Sequence, residues 1–75
     1  MDRLAVHSTT LAWVSYSPNH GVLELGFHTG KVYAYVEVPL QTYQELLRAD
    51  FKGRYFNLHI RNHFRAQPVR TLTAG

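Results

Sequence analysis

The sequence predicts an α+β domain in which a three-stranded antiparallel meander is followed by two helices packed on one face of the sheet (β-β-β-α-α). Strand-forming residues fill most of the first half of the chain, in three runs separated by turn sequences, and apolar residues at helical spacing follow them. A chain of 75 residues has room for one domain, predicted at residues 1–65. Residues 66–75 contain a proline and no periodicity, so a disordered tail is predicted there.

The three strands are predicted at residues 10–17, 22–27 and 32–38. The sequence SPNHG separates the first two strands and HTG separates the second pair, and both contain residues that favour turns. Pro39 ends the third strand because proline has no N–H to donate to a neighbouring strand.

Two amphipathic helices are predicted after Pro39, a residue whose fixed φ suits the first turn of a helix. The first helix, residues 40–49, is indicated by apolar side chains at helical spacing: Leu40, Tyr43, Leu46 and Leu47. Gly53 interrupts the pattern, and the second helix is predicted from residue 54 or 55 to residue 65. Its apolar side repeats every fourth residue, at Phe56, Ile60 and Phe64.

The turn between the second and third strands decides which face of the sheet Tyr33 and Tyr35 occupy, because side chains alternate along a strand. A two-residue turn at Thr29 and Gly30 would place both tyrosines on the open face. A type I turn followed by a bulge at Gly30 would place them under the helices. The bulged turn is favoured because it needs a positive φ only at Gly30, whereas the two-residue turn also needs it at β-branched Thr29.

In the bulged register the two faces of the sheet have different compositions. The face under the helices carries Leu23, Leu25, Phe27, Tyr33, Tyr35, Val14 and Tyr16, packed against Tyr43, Leu47, Phe56, Ile60 and Phe64. The other face carries Trp13, Glu24, Gly26, Val32, Ala34 and Val36. That face is apolar, so either a patch around Trp13 is exposed to a partner or residues 4–6 fold across it.

Basic residues concentrate in the predicted helices. Residues 1–39 hold two basic and three acidic residues, a net charge of −1, whereas residues 40–75 hold six and two, a net charge of +4. Such an asymmetry is compatible with a polyanionic partner. The candidate nucleic-acid-binding residues are Arg48, Lys52, Arg54, Tyr55, Asn57, Arg61 and Arg65. The alternative is that Arg54 and Arg61 pair with Glu45, with Asp50 or with the last carbonyls of the first helix and join the two helices.

Other classes of site are not indicated. His59 and His63 have the spacing of a helical metal pair, but no third ligand lies near them in the sequence, so no metal site is predicted. His7 and Ser8 are adjacent without an orienting acid, and no glycine-rich phosphate loop occurs, so neither catalysis nor a cofactor is predicted. The lack of cysteines and of a long apolar run predicts a cytoplasmic monomer without a membrane segment.

The ordered set of motifs resembles the KTSC domain, a short domain found in stand-alone bacterial proteins and at the C-terminus of some lysyl-tRNA synthetases. The resemblance covers about residues 6–64 and consists of V-H-S-T at Val6, the Y-x-Y of Tyr33 and Tyr35, V-P at Val38, and A-x-x-x-G-x-Y-F-N-x-x-I-R from Ala49 to Arg61. It implies no established enzymatic activity and a suggested role in RNA binding. Phe51 departs from the pattern, which has a small hydroxyl residue between Ala49 and Gly53.

These features together predict a small non-catalytic domain that binds RNA weakly, tRNA among the candidates, through a basic stripe on the second helix. The alternative is a protein–protein interaction module that uses the apolar sheet face around Trp13.

Overall fold

The computed structural model describes residues 3–69, which form one antiparallel sheet and two short helical regions. The five strands follow chain order in the sheet and are β1 (Leu4–Ala5), β2 (Leu11–Ser17), β3 (Val22–Phe27), β4 (Val32–Tyr35) and β5 (Ala66–Pro68). The helices are α1 (Leu40–Arg48) and α2 (Lys52–Tyr55), and α2 continues directly into a π-helical turn, Phe56–Ile60. Within the described residues no helix is long and apolar enough to cross a bilayer.

The α+β class, the antiparallel sheet and the two helical regions are as predicted, but the sheet has five strands and not three. The two extra strands lie at its edges. β1 pairs with β2, with Leu4 opposite Val14 and Ala5 opposite Trp13. Both edge strands are very short, and neither shows an alternation of apolar and polar residues. They form because β2 and β4 offer unpaired N–H and carbonyl groups at the edges of the sheet.

The fifth strand corrects part of the predicted disordered tail. Ala66–Pro68 pairs with β4, and the N–H of Val69 donates to the carbonyl of Val32 at 2.9 Å. Pro68 is tolerated because β5 is an edge strand, where a missing N–H can face away from the sheet. The remainder of the predicted tail, residues 70–75, lies outside the described residues.

The bulged register between β3 and β4 is confirmed. Gly30 has a φ of +94°, and the N–H of Phe27 donates to the carbonyl of Lys31 at 2.9 Å. Leu25 therefore lies opposite Tyr33 and Leu23 opposite Tyr35, on the face covered by the helices. Tyr35 is buried, and Tyr33 is partly buried and packed against the core.

The second helix is shorter than predicted and changes its winding. The N–H of Arg61 donates to the carbonyl of Phe56, five residues back, which closes the π-helical turn. Arg61 itself is extended, and Asn62 has a φ of +67°. Asparagine tolerates this left-handed conformation better than most residues, and here it turns the chain toward β5. The helix consequently ends at Ile60 and not at residue 65.

The core lies between the sheet and the helices and contains several residues that the pattern missed. Its buried members are Leu11, Val14, Leu23, Leu25, Tyr35, Val38, Leu46, Phe56 and Ile60. An irregularity in β2 between Leu11 and Trp13 allows Leu11 and Val14, three residues apart, to point into the same core. On α1 the fully buried residue is Leu46, whereas Leu47 and Tyr43 are only partly buried.

The open face of the sheet is arranged around Trp13, which is only partly exposed. Its indole lies directly over Gly26, the residue opposite it on β3, where only the absence of a side chain leaves room. The guanidinium of Arg3 stacks on the indole, 4.0 Å from the ring centroid. Residues 4–5 run beside β2 at the edge of the sheet, so the alternative in which residues 4–6 fold across this face is wrong.

Candidate functional site

An open groove of about 890 Å³ lies between the turn before β2 and the start of α2. We call it the Ser8–Phe51 groove. It is lined by His7, Ser8, Thr9, Thr10, Asp50, Phe51, Lys52, Gly53, Arg54, Asn57 and Leu58. Two segments that are far apart in sequence therefore meet at a single site.

One wall of the groove is a turn fixed by hydrogen bonds. The Ser8 hydroxyl accepts the backbone N–H groups of Thr10 and Leu11, each at 3.0 Å. From the neighbouring turn, Nε2 of His28 lies 2.8 Å from the Ser8 carbonyl oxygen. A carbonyl can only accept, so this ring nitrogen carries the hydrogen and donates it. The Ser8 hydroxyl oxygen thus holds this wall in place.

The second wall, the start of α2, approaches the first very closely at Gly53. A Cβ at this position would lie 2.6 Å from Oγ1 and 2.9 Å from Cβ of Thr10. No side chain fits between the two walls here. Lys52 is also fixed, because its ammonium donates a hydrogen bond of 2.9 Å to the carbonyl of Ala49 at the end of α1.

Two large apolar side chains of the groove are strongly exposed. Phe51 is 73% exposed and Leu58 is 55% exposed, although the domain is small and uses most of its apolar side chains in the core. Phe51 precedes the first helical residue of α2, and Leu58 lies in the π-helical turn. π-Helical turns are frequent at functional sites. Phe51 and Leu58 both line the groove, and neither belongs to the core cluster.

The groove combines these apolar groups with charges of both signs. Lys52 and Arg54 supply two positive charges, Asp50 supplies one negative charge, and Asn57 adds an amide. The net charge of these side chains is +1, which favours the binding of an anionic group but creates only a weak electrostatic field.

The structure brings only part of the predicted basic stripe together. Lys52, Arg54 and Asn57 line the groove. Arg61 and Arg65 do not, because the helix that was predicted to align them with Arg54 ends at Ile60. The carbonyl of Arg65 instead accepts the N–H of Val36, next to the start of β5.

Tyr55, also predicted as a binding residue, joins the two helices. Its hydroxyl donates a hydrogen bond of 2.9 Å to Glu45, and Gln41 also donates to that carboxylate, at 3.1 Å. The ring of Tyr55 packs against His59, with the centroids 4.6 Å apart. Glu45 is therefore the acceptor that links α1 to α2, as the alternative interpretation expected, but its partner is a tyrosine and not an arginine. Arg48 lies on α1, outside the groove lining.

The hydrogen bond between Tyr55 and Glu45 shifts the pKa of both groups. Burial, followed by the bond to Glu45 and the charge of Glu45, raises the pKa of Tyr55 to about 12 from its usual 10.0. The bonds from Tyr55 and Gln41 lower the pKa of Glu45 below its ordinary value. Because the pKa of Tyr55 is raised, the neutral phenol stabilises the fold fully below pH 10, and this contribution is lost as the pH rises through about 12.

We expect Glu45→Gln to lower the pKa of Tyr55 toward 10, because the negative charge that opposes tyrosinate formation is removed. The titration is followed by NMR of the assigned tyrosine rings, with Tyr55→Phe identifying the signal that disappears. Arg48→Gln on the same helix is the control and should leave this pKa near 12. An unchanged Tyr55 pKa in Glu45→Gln would show that the hydrogen bond does not form in solution.

The remaining candidate metal ligands do not lie close together in the structure. Among residues 3–69, no group of three or more histidines and carboxylates has an arrangement that could hold a metal ion. His59 lies in the π-helical turn against Tyr55, whereas His63 follows the end of that turn, so the pair does not share a helix.

A comparison with known families identifies the domain. The profile of the KTSC domain matches residues 7–64, most of the chain. The chain belongs to the KTSC domain family. The crystal structure of a KTSC domain protein from Yersinia pestis has a TM-score of 0.90 and 29% sequence identity, and the match covers 92% of this chain and 97% of that one.

Two relatives show where KTSC sequences occur. An uncharacterised protein from Stutzerimonas stutzeri is 42% identical over 57 residues, which cover 76% of this chain and 80% of that protein. A lysine–tRNA ligase from Nostoc is 40% identical over 54 residues, which cover 72% of this chain but only 10% of the ligase. The KTSC sequence is therefore a small part of that larger protein.

The motifs that carry the KTSC resemblance lie in two different parts of the structure, the core and the groove. Tyr33 and Tyr35 belong to the core, where Tyr35 makes an edge-to-face contact with Phe56, with centroids 5.8 Å apart. Burial raises the pKa of Tyr35, the neighbouring Tyr33 adds to this effect, and the charge of Arg61 opposes it.

Part of the V-H-S-T motif (His7, Ser8 and Thr9) and part of the A-x-x-x-G-x-Y-F-N motif (Gly53 and Asn57) line the groove from its two sides. Sequence reasoning noted both motifs but did not place them together. It also did not identify the exposed apolar residues Phe51 and Leu58 as part of a site. The available signal was the departure of Phe51 from the pattern on which the resemblance rests, two residues before Gly53.

Proposed function

We propose that this KTSC domain is a non-catalytic module that binds RNA in the Ser8–Phe51 groove. The observation that carries the proposal is the convergence of Lys52, Arg54 and Asn57 with an exposed aromatic ring on one concave surface. Cations hold phosphates, an amide can bond to a base edge, and aromatic rings contact bases, so this combination suits RNA better than it suits a small apolar ligand.

The two cations differ in how they would contribute. The ammonium of Lys52 is already held by the Ala49 carbonyl and retains further N–H donors, so little side-chain freedom is lost when it meets a phosphate. Arg54 is exposed and can form two parallel hydrogen bonds to a phosphate. With about two phosphates contacted, affinity should lie in the range of non-specific electrostatic binding, roughly 10⁻⁴ to 10⁻⁶ M at physiological salt.

The relationship to a lysine–tRNA ligase makes tRNA the first RNA to test. A ligase that carries a KTSC sequence acts on tRNA, and a weak additional contact on the same chain would raise the effective concentration of that substrate. For the present chain this relationship suggests tRNA as the probe, and the residues of the groove supply the physical basis for expecting RNA binding.

We expect Arg54→Ala to weaken tRNA binding and to reduce the slope of log affinity against log salt by about one contact. Arg65→Ala is the matched control, because it removes the same charge from an exposed residue outside the groove lining. The measurement is NMR titration with tRNA at two salt concentrations, with thermal melting as the folding control. Equal weakening by both substitutions would show that net charge, and not the groove, determines binding.

A protein-interaction surface around Trp13 has less support. Arg3 stacks on the Trp13 ring, and the largest exposed apolar side chain, Phe51, lies in the groove. Chemical shifts that gather around Trp13 during a titration, with affinity nearly independent of salt, would favour that alternative over RNA binding.

A further inference from the structure

We infer that Phe51 is a base-stacking residue and that the groove accepts an unpaired nucleotide, so that this domain prefers single-stranded to double-stranded RNA. The inference rests on the proposed function and specifies its ligand.

The exposure of Phe51 is not explained by the fold. With 73% of its surface exposed, its ring lies outside the core cluster, whereas Phe56 belongs to that cluster and Phe27 and Phe64 pack against it. Phe51 occupies the N-cap position of α2, and its side chain makes no capping hydrogen bond there. A serine or threonine at this position could cap the helix, so phenylalanine forgoes a stabilising contact and presents an aromatic face to solvent instead.

The neighbours of Phe51 match the parts of a nucleotide. The adjacent Lys52 and the nearby Arg54 provide cations for the phosphate groups on either side of a base, and Asn57 provides both donor and acceptor atoms for a base edge. Leu58 adds a second apolar surface to the same groove. Stacking on an aromatic ring tolerates any base, because every base has a π face.

This arrangement excludes a paired base. Inside a duplex both faces of each base are already stacked on neighbours and the edges are engaged in pairing, so an exposed ring finds a free base face only at the duplex ends. Duplex RNA could meet only Lys52 and Arg54, through its phosphates. An unpaired nucleotide can use the ring, the amide and the cations at once.

The test compares a single-stranded RNA of about eight nucleotides with a duplex of the same length whose two ends are closed by linkers that cover the terminal base pairs, using fluorescence anisotropy at low salt. We expect the single strand to bind more tightly to the unmodified protein. Phe51→Ala should weaken single-strand binding roughly 5- to 100-fold while leaving duplex binding and the salt slope unchanged. Phe51→Tyr should retain affinity, and Phe51→Leu should lose most of it, because leucine is apolar but has no π face.

Leu40→Ala is the matched control, since Leu40 is another exposed apolar residue but lies at the start of α1, outside the groove lining. It should leave RNA binding unchanged. Melting temperatures of all variants establish that each is folded, which their exposure favours.

The outcomes distinguish the two proposals. If RNA binds and Arg54→Ala weakens it, but Phe51→Ala does not or duplex binds as well as single strand, the stacking inference is wrong and RNA binding in the groove stands. If Phe51→Leu binds as tightly as the unmodified protein, the ring is a general apolar contact and the inference is equally wrong. If neither RNA binds at low salt, the proposed function fails and the inference fails with it.

Discussion

Leu46→Ala is expected to lower the free energy of unfolding by about 2–5 kcal/mol, the range measured when a buried leucine is truncated to alanine. Leu46 is completely buried and is the member of α1 that enters the core cluster. The substitution removes apolar surface from the core and leaves a cavity that the sheet and the helices can fill only partly. Because small domains have a total stability near the lower end of roughly 5–15 kcal/mol, this single change should unfold a measurable fraction of the protein.

Urea unfolding followed by tryptophan fluorescence measures the effect, with Leu47→Ala and Leu40→Ala as matched controls on the same helix. Leu47 is partly buried and Leu40 is 49% exposed, so the loss of stability should decrease from Leu46 to Leu47 to Leu40. The sequence pattern placed Leu47 against the sheet. A larger loss for Leu47→Ala than for Leu46→Ala would mean that α1 is rotated about its axis relative to the structure.

Gly53→Ala is expected to destabilise the domain by about 1–3 kcal/mol, the usual effect of forcing an extra group into a packed contact. Helix propensity alone would favour alanine over glycine by roughly 0.5–1 kcal/mol, so the expected sign is opposite to that of the intrinsic preference. The new Cβ would lie 2.6 Å from Oγ1 of Thr10, which is too close for any real contact. The two walls of the groove must therefore separate.

A double-substitution cycle with Thr10→Gly isolates this contact. Removing the Thr10 side chain takes away both atoms that crowd the new Cβ, so Gly53→Ala should cause little destabilisation, or a slight gain, in that background. The same cycle read by RNA titration shows whether wall spacing controls the site. If Gly53→Ala destabilises equally with and without the Thr10 side chain, the close approach of the two walls is not the reason for glycine at this position.

The central strands of the fold were predictable because their signals are local. A β-branched residue at position 29 followed by Gly30 favours one turn type, and the turn fixes the register of β3 against β4. The alternation of apolar residues then places Leu23, Leu25 and Tyr35 on one face of the sheet. These elements required no information from distant parts of the chain.

The edge strands and the end of the second helix were not predictable in the same way. β5 holds only three residues and a proline, and it forms because β4 offers an unpaired edge. The periodicity of Phe56, Ile60 and Phe64 continues beyond the true end of the helix. In the structure a π-helical turn and a chain reversal at Asn62 replace the end of the predicted α-helix. The spacing of apolar side chains alone does not distinguish these two backbone paths.

The candidate site, like the fold, was predictable from the sequence only in part. The sequence by itself determined the α+β class and the basic character of the helical half, and it favoured the register that places Tyr33 and Tyr35 under the helices, because composition, turn chemistry and alternation act over a few residues. Only the tertiary structure decided that Lys52 and Arg54 share a groove with Phe51 and the Ser8 turn, while Arg61 and Arg65 lie elsewhere. That selection depends on where the helix ends and on how closely Gly53 approaches Thr10, and both result from packing between segments more than forty residues apart.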